Sequence, residues 1–231
     1  MAAGPGGRLF AAWRKIFGTG GASEVRDIVV ASSADHGATW SPPVRVHADD
    51  WHVNYCPDAG PSIKVGGDGV VHAAWWTGKP GAAGVRYAQS RDGGHTFGTP
   101  VALGVASASR AAHAQLALAD AHRVVVVWDD GTRAIPPVVV RVSEDDGLTF
   151  NRGDTLTAPG ESAGYPVLAI AHDTVVVAWQ QRTLAGVAAD SLREQERAAA
   201  MHGAASTAPS AARWINRVGS WSVVMRAAAL R

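Results

Sequence analysis

The 231-residue chain is 47% hydrophobic and has a formal charge of +1, so it can bury a core and carries no basic footprint for nucleic acid. No apolar run is long enough to span a membrane as a helix, and residues 1–17 lack a signal-peptide core followed by a cleavage site. Cys56 is the single cysteine, which excludes an intrachain disulfide.

Leu9-Phe10-Ala11-Ala12-Trp13 reads as a short strand ending in Trp. The same form returns as Val71 to Trp75, Val124 to Trp128 and Val175 to Trp179. These Val- and Ala-rich runs have the length and character of strands buried on both faces. A third run follows each of the first three Trp strands: Val25 to Ser32, Val85 to Gln89 and Val138 to Val142. Each of these leads into an eight-residue motif, Ser-x-Asp-x-Gly-x-Thr-aromatic. The copies begin at Ser33, Ser90 and Ser143, 57 and 53 residues apart. A fixed pattern at a near-constant period means one supersecondary unit used repeatedly.

Each motif position has a physical reason. Asp35, Asp92 and Asp145 can accept from nearby backbone N–H groups and close a turn. Gly37, Gly94 and Gly147 can take the positive φ such a turn needs. Ser33, Ser90 and Ser143, with Thr39, Thr96 and Thr149, can add side-chain to backbone bonds. Trp40, Phe97 and Phe150 can pack beneath the hairpin. A fourth run follows, as in Pro43 to Val46 and Pro100 to Leu103. A first run precedes each later Trp strand: Ser62 to Val65, Gln115 to Ala119 and Pro166 to Ala171. Each unit therefore reads as a four-stranded antiparallel meander, which is a propeller blade.

The motif resembles the Asp box, or BNR repeat, of the sialidase superfamily. The resemblance covers residues 9 to 182 and implies an all-β, β-propeller fold of four-stranded antiparallel blades. About three and a half blades are expected, with an Ala-rich, partly helical C-terminal tail. It also implies that the Asp boxes are structural and lie away from the active face. Residues 1–182 are expected to be the propeller and 183–231 an atypical tail. The first unit is expected to open at its second strand, with a longer loop at 18–21. A fourth Asp box should start near 194–200, but Glu194 to Ala200 has helical composition, and Asp190 could N-cap a helix running to about His202. Two readings stay open here: a genuine tail, or a partial gene product whose end is foreign to the repeat. Open blade edges would invite self-association.

Loops at the end opposite the Asp boxes are the candidate functional surface. Arg14, Asp129 and Gln180 each follow a Trp and hold one equivalent place in three blades. Arg133 and Arg182 lie in the same loops. The link from His47 to Asp58 mixes carboxylates, amide, His and aromatics. Trp51 or Tyr55 could stack on a sugar face, while Asp49, Asp50 and Asn54 could bind hydroxyls. The structural alternative is that Trp51 packs against the blades and the Asp residues cap turns. His47, Asp49, Asp50 and His52 have no metal-ligand spacing, so no metal or other cofactor is expected.

Sialidases hold the substrate carboxylate with three arginines and attack with a Tyr paired to a Glu, an Asp serving as acid/base. The Phe-Arg-Ile-Pro stretch of the first arginine is absent here. Arg14 lies in the right region but a different context, and Tyr165 with Glu161 is the one close Tyr/Glu pair. No catalytic residue carries over. Two function classes follow. One is an exo-α-sialidase-like glycoside hydrolase, or a piece of one. The other is a non-catalytic propeller that binds a glycan or a protein. The resemblance implies an extracytoplasmic location.

Overall fold

The computed structural model describes residues 1–18, 24–120, 122–171, 174–183 and 222–229. These form sixteen strands in four antiparallel sheets, with one short 3-10 turn at Pro5–Gly7. The first sheet holds β1 (Ala2–Ala3), β2 (Leu9–Phe17), β3 (Glu24–Ser33), β4 (Val44–Arg45) and β5 (His52–Val53), which pairs with β3. The second is a meander of β6 (Ser62–Val65), β7 (Val71–Thr77), β8 (Gly84–Ser90) and β9 (Val101–Val105). The third repeats it with β10 (Gln115–Leu118), β11 (Val124–Asp129), β12 (Val138–Ser143) and β13 (Asp154–Thr155). The fourth holds β14 (Glu161–Ala171), β15 (Thr174–Thr183) and β16 (Ser222–Ala229).

The sheets pack in chain order, face to face, and the period-2 alternation of the second strands explains how. Side chains of a strand point alternately to its two faces. In β7, Val71, Ala73 and Trp75 join the core shared with the first sheet. Ala74 and Trp76 join the core shared with the third. In β11, Val124, Val126 and Trp128 face the second sheet, while Val125 and Val127 face the fourth. A strand that supplies two cores must be apolar throughout, which is why the Trp strands read as unbroken hydrophobic runs.

The repeat is a register as well as a sequence pattern. Leu9 pairs with Ser33, Val71 with Ser90 and Val124 with Ser143, so Trp13, Trp75 and Trp128 occupy one structural position. Trp75, Trp128 and Trp179 are buried against the preceding sheet, whereas Trp13 is 37% exposed. Trp13 is an odd number of residues from Phe10, which faces the second sheet, so its indole lies on the opposite face.

Three expectations change. The first sheet does have a strand ahead of β2, the two-residue β1, with Ala2 opposite Phe10. Part of the extra length after Trp13 extends the hairpin, since β2 and β3 stay paired out to Phe17 and Val25, while residues 19–21 of the expected loop lie outside the described residues. The fourth sheet has a third strand from far along the chain: β16 pairs with β15 from Thr174 opposite Ala229 to Gln181 opposite Ser222. Its distance in sequence hid it from any argument on spacing. The helix expected over 190–202 lies outside the described residues.

Candidate functional site

The two ends of the sheets differ in chemistry. One end carries the hairpins between first and second strands and the repeated eight-residue turns. His122, in the β10–β11 turn, bonds through Nδ1 to Asp146 Oδ1 in the third repeated turn at 2.7 Å, which places both turn types together. All three repeated turns share one network. The Ser Oγ donates to the Asp Oδ1 at 2.7 Å and accepts from the Gly N–H at 2.8 Å. The Thr N–H donates to Asp Oδ1 and the Thr hydroxyl to Oδ2. The Thr hydrogen bonds are the main reason that Asp35 and Asp145 are held down to about 2 and Asp92 lower still. Both oxygens of each carboxylate are thus engaged within their own turn.

The other end carries the links between sheets. On the 47–58 link, Asp49 is buried and accepts from Trp75 Nε1 at 2.8 Å, with Arg86 Nε 3.5 Å away. Asp50 has a left-handed backbone (φ 48°) and pairs with Arg45 at 3.2 Å. Its N–H and that of Trp51 point to the buried carboxylate of Asp27, which burial pushes up. Trp51 is buried edge-on against Trp76, with ring centroids 4.9 Å apart. Arg14 lies over the Trp51 ring and donates to the carbonyls of Arg26, Ala59 and Trp76 at 3.3, 3.3 and 2.7 Å. Burial lowers its pKa to about 10. Arg14 is therefore a tether inside the interface of the first two sheets, gripping the residue next to Asp58. Asn54 and Tyr55 stay exposed and line a cavity of about 430 Å³ with Pro80 and Ser109.

Links and strand ends also converge on Asp58, His113, Asp129 and Tyr165. Asp129, the last residue of β11, is buried and accepts from the His113 N–H at 2.6 Å. It also bonds His113 Nδ1 at 2.8 Å, and the Tyr165 N–H lies 3.4 Å from it. This directs His113 Nε2 toward Asp58 Oδ1, 3.6 Å away. The Tyr165 hydroxyl donates to Asp58 Oδ2 at 3.3 Å, and its ring stacks on the imidazole with centroids 4.0 Å apart. Tyr165 sits at a bulge between Gly164 and Val167 with φ 53°. A left-handed non-glycine costs about 1–2 kcal/mol, and such strain collects at functional sites. Burial acts to lower His113, but the Asp129 hydrogen bond and the charges of Asp129 and Asp58 outweigh it, and its pKa is raised. Tyr165 is raised by partial burial and by Asp58. The Asp58 side chain is 62% exposed and Tyr165 is 49% exposed. The cluster therefore has a fixed base and an open rim. It can accept hydroxyl hydrogen bonds and offer a flat aromatic face.

No protein-family model matches the chain, and no curated protein matches it significantly. Solved structures do. One is a Dyadobacter fermentans protein of unknown function, at 18% identity and TM-score 0.56, covering 78% of this chain and 60% of that one. A second is an α-L-arabinanase of Penicillium chrysogenum complexed with arabinobiose, at 16% and 0.51, covering 71% and 55%. A third is an ulvan lyase of polysaccharide lyase family PL25, at 14% and 0.52, covering 77% and 43%. The fold is that of a β-propeller. The likeness is one of fold, and the chain spans 60% or less of the length of these structures.

In this propeller the sheets are blades, and the remaining candidate residues do not meet at one point. Arg133 is exposed and faces Asp130 at 3.8 Å. It lines a cavity of about 550 Å³ with Glu161, whose Oε2 accepts from the Ala158 N–H at 3.1 Å. Tyr165 thus bonds Asp58, not Glu161. Gln180 is exposed on β15, opposite Gly164. Arg182 is opposite Ser162 in the same strand pair. Among the described residues, no group of three or more His, Cys, Asp or Glu is arranged to hold a metal ion. Asp58 and Tyr165 stand out only through their partners, and His113 was not singled out by sequence. The available signal was position, since Asp58 and His113 lie just ahead of β6 and β10, where the links reach the first strands.

Proposed function

We propose that this Asp-box propeller binds a glycan at its link end, through Asp58, His113, Asp129 and Tyr165. The observation that carries the proposal is the convergence of these residues from separate links and strand ends onto one bonded cluster with an open rim. Sugar recognition needs an aromatic face for C–H groups and fixed acceptors for hydroxyls. Tyr165 stacked on His113 supplies the first, and exposed Asp58 supplies the second. Tyr55 and Asn54, on the same link as Asp58, line a separate open cavity. Fold-mates that act on glycans support the reading by analogy.

A glycoside hydrolase at the same place is the second reading. It is favoured by the Tyr165–Asp58 hydrogen bond, because Asp58 could take the phenol proton as the phenol oxygen bonds to the anomeric carbon and the glycosidic bond breaks to release the aglycone. Against it, partial burial and the nearby Asp58 and Asp129 push the phenol pKa up. A glycan array probed with wild type and Tyr165→Ala tests the proposal. The expected result is a defined glycan signal in wild type that is lost in the variant while thermal stability is kept. An unchanged pattern in the variant would refute the site. Release of fluorophore from a fluorogenic sialoside, abolished by Tyr165→Phe, would move the account to the hydrolase.

A further inference from the structure

We infer that the link-end site takes a neutral, hydroxyl-rich glycan and disfavours one whose contacting sugar carries a carboxylate, such as a sialic or uronic acid. This rests on the glycan reading above and adds the ligand class. An anionic sugar needs positive charge that the protein has not already neutralised, preferably planar guanidinium forks that can bind a carboxylate in a bidentate way. The guanidinium of Arg14 is spent on three backbone carbonyls inside the interface of the first two blades. Arg133 faces Asp130 at the surface. Arg45 is shared between Asp27 and Asp50, and Arg86 lies against Asp49.

Among the described residues, the groups gathered at the cluster are Asp58, Asp129, His113 and Tyr165, with Arg110 nearby. The positive charge His113 can carry is paired with Asp129 at 2.8 Å from Nδ1, and the Asp58 carboxylate lies 3.6 Å from Nε2. Arg110 is exposed and near enough to act on the Tyr165 phenol. It is a single cation on a rim that also presents the open carboxylate of Asp58, so a ligand carboxylate there meets repulsion along with attraction. Sugar hydroxyls meet no such conflict, because they donate to Asp58 and lie against the Tyr165 ring.

The test is an array of matched pairs: lactose with 3′-sialyllactose, and cellobiose with cellobiouronic acid, with arabinobiose as a further neutral probe. The expected result is retention of at least one neutral probe, with the acidic member of its pair at least about tenfold weaker. The gap should shrink to under about threefold in Asp58→Asn, which removes the repelling charge. Equal or tighter binding of the acidic members, lost in Arg110→Ala, would overturn the inference and leave the glycan reading standing. Absence of binding to every probe on the wider glycan array would overturn both.

Discussion

The turn end and the link end of this propeller are built by opposite rules. At the turn end, each eight-residue motif satisfies its own hydrogen bonds within five positions of chain, and the result repeats three times with the same distances. At the link end, Asp129 gathers the His113 imidazole and the Tyr165 N–H, while Asp58, from the link ahead of the second blade, faces the same imidazole and accepts from the Tyr165 phenol. The local networks leave their Asp oxygens occupied. The non-local network leaves Asp58 and Tyr165 open to solvent. Repetition marks the framework here, and departure from repetition marks the proposed site.

The largest effect should come from Arg14, which joins the two rules by tethering the link that carries Asp58. Arg14→Ala strands three carbonyls and strips a cation from Trp51. Urea unfolding should show a loss of about 3 kcal/mol, together with weaker glycan binding. A loss below about 1 kcal/mol would separate the two ends more cleanly than proposed.

His72 should have an effect of similar size, but only in acid. Burial lowers it to about 4, and its Nδ1 lies 2.6 Å from the buried Tyr87 hydroxyl. The unfolded chain takes up this proton near pH 6.5 and the folded chain only near 4. The unfolded state therefore binds more protons between those values, and stability falls as the pH drops from 6.5 to 4, by on the order of 3 kcal/mol. Denaturant midpoints across that window should flatten in His72→Gln relative to wild type. The Asp35 and Asp145 turns act in a separate window. Their depressed pKa values stabilise the fold above about pH 4, and that contribution is lost as the pH falls toward 2.

Ser90→Ala removes one buried hydroxyl that donates to Asp92 and accepts from Gly94. It should cost about 1–2 kcal/mol and leave glycan affinity unchanged, since it lies at the turn end. The smallest stability effect should come from Asp58→Asn, within about 0.5 kcal/mol because the group is exposed. Its affinity for a neutral glycan should nonetheless fall about tenfold, equivalent to about 1.4 kcal/mol. The Ser90 and Asp58 variants together form a crossed pair, one moving stability alone and the other binding alone.

The same division decides what could be read before the structure. The eight-residue turns, the Trp strands and the four-stranded meander were legible because each is closed within one unit and repeats in sequence. Trp51 shows the limit. Its aromatic character suggested a sugar platform, whereas burial against Trp76 and beneath Arg14 makes it packing. Arg14, Asp129 and Gln180 do share one strand position. They do not share one task, because Arg14 turns into the interface of the first two blades while Asp129 binds across to the fourth. His113 was invisible because its meaning comes from Asp129, sixteen residues on, and Asp58, fifty-five residues back. The strand β16 was hidden for the same reason.

The most direct test of the link-end site uses the histidines as reporters of both ends. His36, His95 and His122 lie at the turn end, and His113 lies in the cluster. Imidazole NMR signals, assigned by substitution, would be followed while a glycan retained on the array is titrated in. The account predicts a saturable shift at His113 with the three turn-end histidines unmoved. Saturable shifts at His36, His95 or His122 with His113 silent would place the ligand at the wrong end and contradict it.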